Sequence, residues 1–419
     1  AGDDTLSKIG YIKAKIPDGR DPISIIKQIR KEYKIKIPEP NYISTTLTVS
    51  DPFFKDQWYI PDTNFDKAWE KVKINNPITV AVIDSGVDGT HPDLKGKILD
   101  GYNFVEDSND ASDVHGHGTF VAGIIAATSN NIGIKGLYDY AQIIPVKVID
   151  EKGLGTYEDA AKGIIYAADN GARVINLSIG GYAYSFMLQD AIDYALEQGC
   201  ILVAAGGNDG IEQEMFPAAY PDVIGVSALD PNEKIWLQSN SGRHIDVCAP
   251  GVDVISTGLG CNYVYATGTS TSTPMVSALA AMLMSEKQDL SSAFVRRLII
   301  QSAEDLGEKG VDRVYGGGEI DSDAALNEKV KPFHDVAVRS VHVEPMIFAK
   351  GKPIYIVSNV ENRGTYNSEL CDFVIYEIDG EVKKEIGRQE GVDVIDKTRV
   401  IFKWTTEGLK EGVKFEVSV

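Results

Sequence analysis

Asp84 closes the apolar run ITVAVID (78–84) and is followed at once by Ser85-Gly86. That sequence sends its carboxylate to the end of a strand, where a buried charge needs a partner. Such an aspartate can orient an imidazole, or it can simply cap the next helix. His117 lies in HGHGTFVAG (115–123), where glycines permit close backbone approach and FVAGIIAA can begin a helix. A histidine at such a junction can be oriented through one ring nitrogen and present the other to a second group. It can equally be structural or a metal ligand, the reading kept for His91 and His115. GTSTSTPMV (268–276) packs five hydroxyls into the six residues before Pro274. Pro274 suits the first turn of a buried helix running from Met275 to Met284, which leaves Ser270 just ahead of a helix N-terminus. There the dipole and free N–H groups favour developing negative charge, although a plain Ser/Thr capping cluster has the same composition.

These groups need a rigid frame. The apolar runs ITVAVID (78–84), IIPVKVID (143–150), RVINLSI (173–179), CILVAA (200–205) and DVIGVSA (222–228) are too apolar for half-exposed strands. Between them lie amphipathic stretches, TYEDAAKGIIYAADNG (156–171) and SFMLQDAIDYALEQG (185–199), each closed by glycine. The alternation predicts an α/β domain, a mostly parallel sheet with helices on both faces, whose reactive groups collect where strands end and helices begin.

The joint occurrence of the three neighbourhoods decides between the readings. VIDSGVDGTHPDL, HGTFVAG and GTSTSTP resemble, in the right order, the three signature blocks of the subtilisin-like serine proteases. Asp, His, Ser is the subtilisin chain order. The resemblance implies Ser270 as nucleophile, His117 as general base and then acid, and Asp84 as the group that holds the imidazole tautomer. Asn208 in AAGGNDG matches the family's oxyanion-hole asparagine. Lys152-Gly153-Leu154-Gly155 and Leu177-Ser178-Ile179-Gly180 resemble the segments that sandwich an extended peptide substrate. Ser178, Ile179, Gly180, Ala205, Gly206 and Gly207 would wall an apolar S1 pocket, with Met215 near its floor, and Tyr157 would line S4. Where the family has Met-Ala after the nucleophile, this chain has Thr271-Ser272, with Thr273 as the expected helix cap.

The same resemblance extends outside the motifs. Thr128-Ser-Asn-Asn-Ile-Gly-Ile134 is similar to the family's tight Ca²⁺ loop, implying ligands from Asn130, the carbonyls of Thr128, Ile132 and Ile134, and the carboxylates of Asp93 and Asp51. Residues 8–47 read strand, helix, strand and an extended tail, like the later half of a subtilase propeptide. They imply a small α+β prosegment (1–47) acting as intramolecular inhibitor, with processing between Leu47 and Thr48. Nine Lys or Arg against six Asp or Glu make residues 1–47 basic on an acidic body, which favours docking. The catalytic domain is expected over 48–329. Alternating patterns after KVKPF, with NRG and DGE turns, predict an all-β sandwich over 334–419 that carries no recognisable chemistry.

Composition excludes some classes. A net charge of −20 over 419 residues argues against nucleic acid or an anionic membrane as partner, and no run of 18 apolar residues exists to span a bilayer. The opening AGDDTLSK is not a signal peptide, so the chain is cytosolic or has lost one; the resemblance implies the latter, a secreted, extracellular, monomeric endopeptidase acting on peptides and proteins. Cys248 and Cys261 are the candidate disulfide pair, and otherwise Cys200, Cys248, Cys261 and Cys371 read as buried thiols. A prosegment-locked pseudoprotease or binding module is the competing expectation. A nucleotide-binding enzyme is disfavoured, since neither GxGxxG after a strand nor GxxxxGK[ST] occurs.

Overall fold

The computed structural model describes residues 22–33, 51–72, 76–286, 291–327, 336–344, 353–362, 369–379, 382–394, 397–405 and 414–419. The chain divides into two units, Ala1–Thr48 and Val49–Val419. In the first, helix α1 (Pro22–Tyr33) forms where DPISIIKQIRKEY predicts it. The flanking strands expected for the prosegment, and the Leu47–Thr48 junction, lie outside the described residues.

The second unit opens with short helices α2 (Tyr59–Asp62) and α3 (Phe65–Lys71). Its central sheet comprises β1 (Thr79–Asp84), β2 (Tyr102–Asn103), β3 (Gln142–Lys147), β4 (Val174–Leu177), β5 (Ile201–Ala205), β6 (Ile224–Leu229) and β7 (Val247–Pro250). The seven strands run parallel in the order β2-β3-β1-β4-β5-β6-β7. Five of them coincide with the apolar runs, while β2 and β7 are too short to stand out in sequence. The helices are α4 (His117–Ala126), α5 (Tyr157–Asp169), α6 (Phe186–Glu197), α7 (Thr269–Glu286), α8 (Ser292–Ser302) and α9 (Ser322–Asn327).

The uninterrupted apolarity of β1 follows from its two covered faces. Val80 and Val82 join a core with Ile124, Leu279 and Leu298, from α4, α7 and α8. Ala81 and Ile83 point the other way, into a core with Ile164 and Ile192, from α5 and α6. Thr156 and Ser185 cap α5 and α6 by accepting from the N–H groups of Asp159 and Leu188. Gly171 and Gly199 follow those helices with φ of 83° and 82°, as the glycine signals predict.

After the central sheet, β8 (Val254–Thr257) and β9 (Tyr263–Ala266) pair antiparallel, and the C-terminal strands form two further antiparallel sheets. One orders β10 (Val336–Glu344), β11 (Pro353–Asn362) and β14 (Lys397–Thr405); the other orders β13 (Val382–Val394), β12 (Glu369–Asp379) and β15 (Lys414–Ser418). Ile356, Val360, Val400 and Phe402 of the first pack with Phe373, Ile375, Val394 and Val417 of the second, the interior of a sandwich.

All four cysteines are free. Cys248 is inside β7, whereas Cys261 sits at the surface in the turn Leu259–Cys261, so the candidate pair does not form and Cys261 is not a buried thiol. A second buried group has a consequence for stability. The carboxyls of Glu319 and Asp62 meet in the interior, and burial followed by the charge of Asp62 pushes Glu319 up to about 9. A raised carboxyl stabilises the fold fully below its unfolded value and loses that contribution as pH climbs through the folded one. Glu319→Gln keeps a donor for Asp62 without titrating. It is expected to melt at least about 2 °C above the parent at pH 10, with the advantage gone at pH 4. Calorimetry at the two pH values checks this.

Candidate active site

Asp84 ends β1 fully buried, and His117 is the first residue of α4. His117 Nδ1 lies 2.8 Å from Asp84 Oδ1 and 2.9 Å from Oδ2. A carboxylate only accepts, so Nδ1 carries the proton and Nε2 is left as the base. Burial alone would lower the His117 pKa, but the charge and hydrogen bond of Asp84, helped by Asp113, more than offset it and raise the pKa above the ordinary value.

The α4 N-terminus is held by a residue that sequence reasoning passed over. Asp113 Oδ1 accepts from His115 N and Gly116 N, and its Oδ2 accepts from Thr119 N and Oγ1, at 2.6–2.9 Å. Ser85 Oγ donates to Asp113 at 2.9 Å and accepts from Gly118 N at 3.0 Å, so the residue beside Asp84 binds the turn that carries His117. The signal was an aspartate ahead of a helix start, which also matches ordinary capping. Gly118 is required by proximity: a Cβ there would sit 2.1 Å from Gly86 O and 3.1 Å from Asp84 Cβ.

Of the five clustered hydroxyls, Ser270 is the one whose residue is not buried. Thr271 Oγ1 donates to Gly268 O (2.9 Å), Ser272 Oγ to Ala249 O and Pro250 O (3.0 Å each), and Thr273 Oγ1 to Thr269 O (2.7 Å). Thr273 is therefore a back-bonded helix residue, not a cap. The helix also begins earlier than predicted: α7 starts at Thr269, which puts Ser270 inside its first turn and Pro274 in its interior. Proline has no N–H for the carbonyl four residues back, which is that of Ser270. Ser178 Oγ donates to that carbonyl instead, at 3.1 Å. Asn176 Nδ2 donates in turn to Ser178 Oγ (3.0 Å), and Ser277 Oγ to Asn176 Oδ1 (2.8 Å).

Asn208 Oδ1 accepts from Thr269 N and Oγ1, both at 2.8 Å, so the amide oxygen is fully used and Nδ2 is free to point elsewhere. A Cβ on Gly268 would lie 3.3 Å from Asn208 Nδ2 and 3.4 Å from Ser270 Oγ, so the amide donor and the hydroxyl are both close to one spot. Thr269 N and Thr271 N are spent on Asn208 Oδ1 and Gly268 O, which leaves the Ser270 N–H of the α7 first turn to join the amide there in receiving an oxyanion.

A model of the subtilase family matches residues 75–318. The chain belongs to the subtilase family. It is similar to the thermophilic serine proteinase of Bacillus sp. (strain AK1), 41% identical over 296 residues that span 70% of this chain and 73% of that one. Thermitase of Thermoactinomyces vulgaris is 38% identical over 265 residues, 63% of this chain and 94% of the relative. The minor extracellular protease Epr of Bacillus subtilis (strain 168) is 33% identical over 321 residues, 76% of this chain and 49% of its own length. The protein is thus a subtilisin-like serine endopeptidase.

The subtilase's expected substrate segments converge at the ends of adjacent parallel strands. Ser178, Ile179 and Gly180 follow β4; Ala205 ends β5 and leads into Gly206 and Gly207. Met215 lies between the two, since a Cβ on Gly180 would meet its Cγ and Sδ at 2.9 Å and one on Gly207 its Cε at 2.9 Å. Gly153, Leu154 and Gly155 form an exposed turn whose Gly155 pairs with Ile149. Tyr157 opens α5 with its hydroxyl beside Gly181, 2.5 Å from where a Cβ would stand.

Asp51 and Asp93, both buried, grip the loop after α4. Asp51 Oδ1 accepts from Asn130 N (3.0 Å) and Asn131 N (2.7 Å), while Asp93 Oδ2 accepts from Ile134 N (3.1 Å) and Tyr263 OH (2.9 Å). Asn130 turns its Nδ2 to Asp93 Oδ1 (3.1 Å) and its Oδ1 to Ile132 N (2.9 Å). Burial raises the Asp93 pKa, against the hydrogen bonds from Ile134, Tyr263 and Asn130 that act to lower it. The two buried carboxylates and the Asn130 amide oxygen are hard oxygen donors of the type Ca²⁺ takes.

Proposed function

We propose that this subtilase is a secreted, calcium-dependent endopeptidase made as a precursor, working through Ser270, His117, Asp84 and Asn208. The observation that carries the assignment is the buried Asp84 beneath His117 Nδ1, which dedicates Nε2 to proton transfer. Ser270 Oγ attacks the scissile carbonyl as His117 Nε2 takes its proton. The resulting oxyanion is received by the Ser270 N–H and Asn208 Nδ2. Collapse breaks the C–N bond, His117 returns the proton to the leaving amine, and an acyl-Ser270 remains. Water deprotonated by His117 then hydrolyses the ester and regenerates the hydroxyl.

Specificity follows from the uncharged walls 178–180 and 205–207 with Met215 as floor, which suit an apolar P1 side chain in a shallow pocket. Gly153, Leu154, Gly155 and Tyr157 line the opposite rim. Asp51, Asp93, Thr128, Asn130, Ile132 and Ile134 would hold Ca²⁺, which would supply positive charge to offset the two carboxylates and tie the residue 51 segment to the loop. Residues 1–47 are the inhibitory prosegment, cleaved between Leu47 and Thr48, residues 48–329 the catalytic domain, and residues 334–419 an appended sandwich. Secretion is supported by the similarity to the minor extracellular protease of Bacillus subtilis. Among the described residues no helix is long and apolar enough to cross a membrane.

A peptide-library digest with and without EDTA tests this reading, alongside fluorophosphonate labelling. Cleavage after apolar residues, its loss with a lowered melting temperature in EDTA, and a label on Ser270 are expected. A chain freed of residues 1–47 that takes no label would instead be a locked pseudoprotease.

A further inference from the structure

His244 has no counterpart among the motifs, yet it is buried at 5% exposure against the strand-end that carries Asn208. Its Nε2 lies 3.0 Å from Gly206 O. A carbonyl only accepts, so Nε2 bears the proton, and the buried Nδ1 has no hydrogen-bond partner among the described residues. Burial lowers its pKa despite the nearby Glu214 and Asp246, in keeping with a neutral donor.

The carbonyl it holds belongs to an informative peptide plane. The Gly206–Gly207 link joins two glycines, the second at φ +113°, so no side chain restrains its rotation. Both ends are tied: Gly206 O by His244, and Gly207 N by Thr269 Oγ1 at 3.2 Å. Thr269 Oγ1 then donates to Asn208 Oδ1 at 2.8 Å. The bonds share one polarity, running from the imidazole N–H through the peptide and the threonine hydroxyl to the amide. Gly206 is also held from the sheet side, its N–H donating to Val226 O at 2.8 Å, and it packs so closely that a Cβ there would stand 2.6 Å from Ile245 Cδ1.

We propose that His244 is a positioning residue for this protease: as a neutral Nε2–H donor it fixes the Gly206–Gly207 peptide, and through Thr269 the amide of Asn208. This rests on the oxyanion role assigned to Asn208 above. His244→Phe keeps the ring and removes the donor. It is expected to lower kcat on a peptide anilide about tenfold to thirtyfold with KM within about threefold, a fraction of what loss of an oxyanion donor itself costs. His244→Gln, whose amide N–H can reach the same carbonyl, is expected to stay within about threefold of the parent in kcat. In an Asn208→Ala background His244→Phe should cost almost nothing more, because its target is gone.

A full, additive loss in that background, equal losses for Phe and Gln, or no loss for Phe would each overturn the proposal. Should the Phe variant not accumulate as folded protein, His244→Leu replaces it in the same cycle. Fluorophosphonate labelling of the parent, freed of residues 1–47, separates the two assignments. An unlabelled parent defeats the protease reading together with this one, whereas a labelled parent with additive losses defeats only the role of His244.

Discussion

Ser270→Ala is expected to lower kcat for peptide hydrolysis by about 10⁶-fold with KM little changed. The hydroxyl acts only once the carbonyl is being attacked, so its removal spares ground-state binding. None of its neighbours can substitute. Thr269, Thr271, Ser272 and Thr273 are all buried, and each hydroxyl is spent on a backbone carbonyl or on Asn208. The variant should also keep residues 1–47 covalently attached, because the same nucleophile is assigned to their removal. Steady-state kinetics on purified protein and intact-mass analysis read the two effects. Residual turnover within a hundredfold of the parent would mean that another group attacks.

Asp84→Asn is expected to cost about 10⁴-fold in kcat near neutral pH while leaving the fold intact. Asp84 Oδ1 already accepts from Ser85 N at 2.7 Å, which holds an asparagine oxygen there and puts its NH₂ at the Oδ2 position, 2.9 Å from His117 Nδ1. An N–H facing Nδ1 selects the tautomer protonated on Nε2, the nitrogen that must receive the serine proton. The pH profile gives an independent reading. Activity needs neutral His117, so in the parent it falls as pH drops through a pKa that Asp84 holds above the ordinary value. Without that negative charge the acid limb of kcat/KM should move to lower pH. An unmoved limb, or a loss below about a hundredfold, would remove Asp84 from the role assigned to it.

Beyond the motif match, the sequence was most informative where chemistry depends on local backbone. An apolar run ending in Asp-Ser-Gly, a histidine between glycines before a helical stretch, and a Ser/Thr cluster before Pro274 each reflect what one strand end or helix start requires. Those requirements are short-ranged, so the strand-end Asp84, the helix-start His117 and the hydroxyl cluster around Ser270 could be singled out, with the family resemblance assigning their roles, and five of the seven strands and the closing glycines of α5 and α6 could be placed. Even the misplaced start of α7 has a local cause: Pro274 fits a first turn by propensity, and it became an interior residue because Ser178, 92 positions away, answers the carbonyl it leaves open.

What the sequence could not decide are the contacts between distant loops. Whether Ser178 Oγ donates to the Ser270 carbonyl depends on β4 lying beside α7. Met215 between Gly180 and Gly207, Asp113 as the anchor of the His117 turn, and the surface position of Cys261 likewise depend on which segments the sheet order brings together. His244 is the extreme case, since nothing around it in the chain marks it. Its role exists only because the loop before β7 folds under the end of β5, where a glycine carbonyl faces an imidazole N–H. Periodicity records which face of an element is buried; the partner on that face is chosen by the packing of the whole chain.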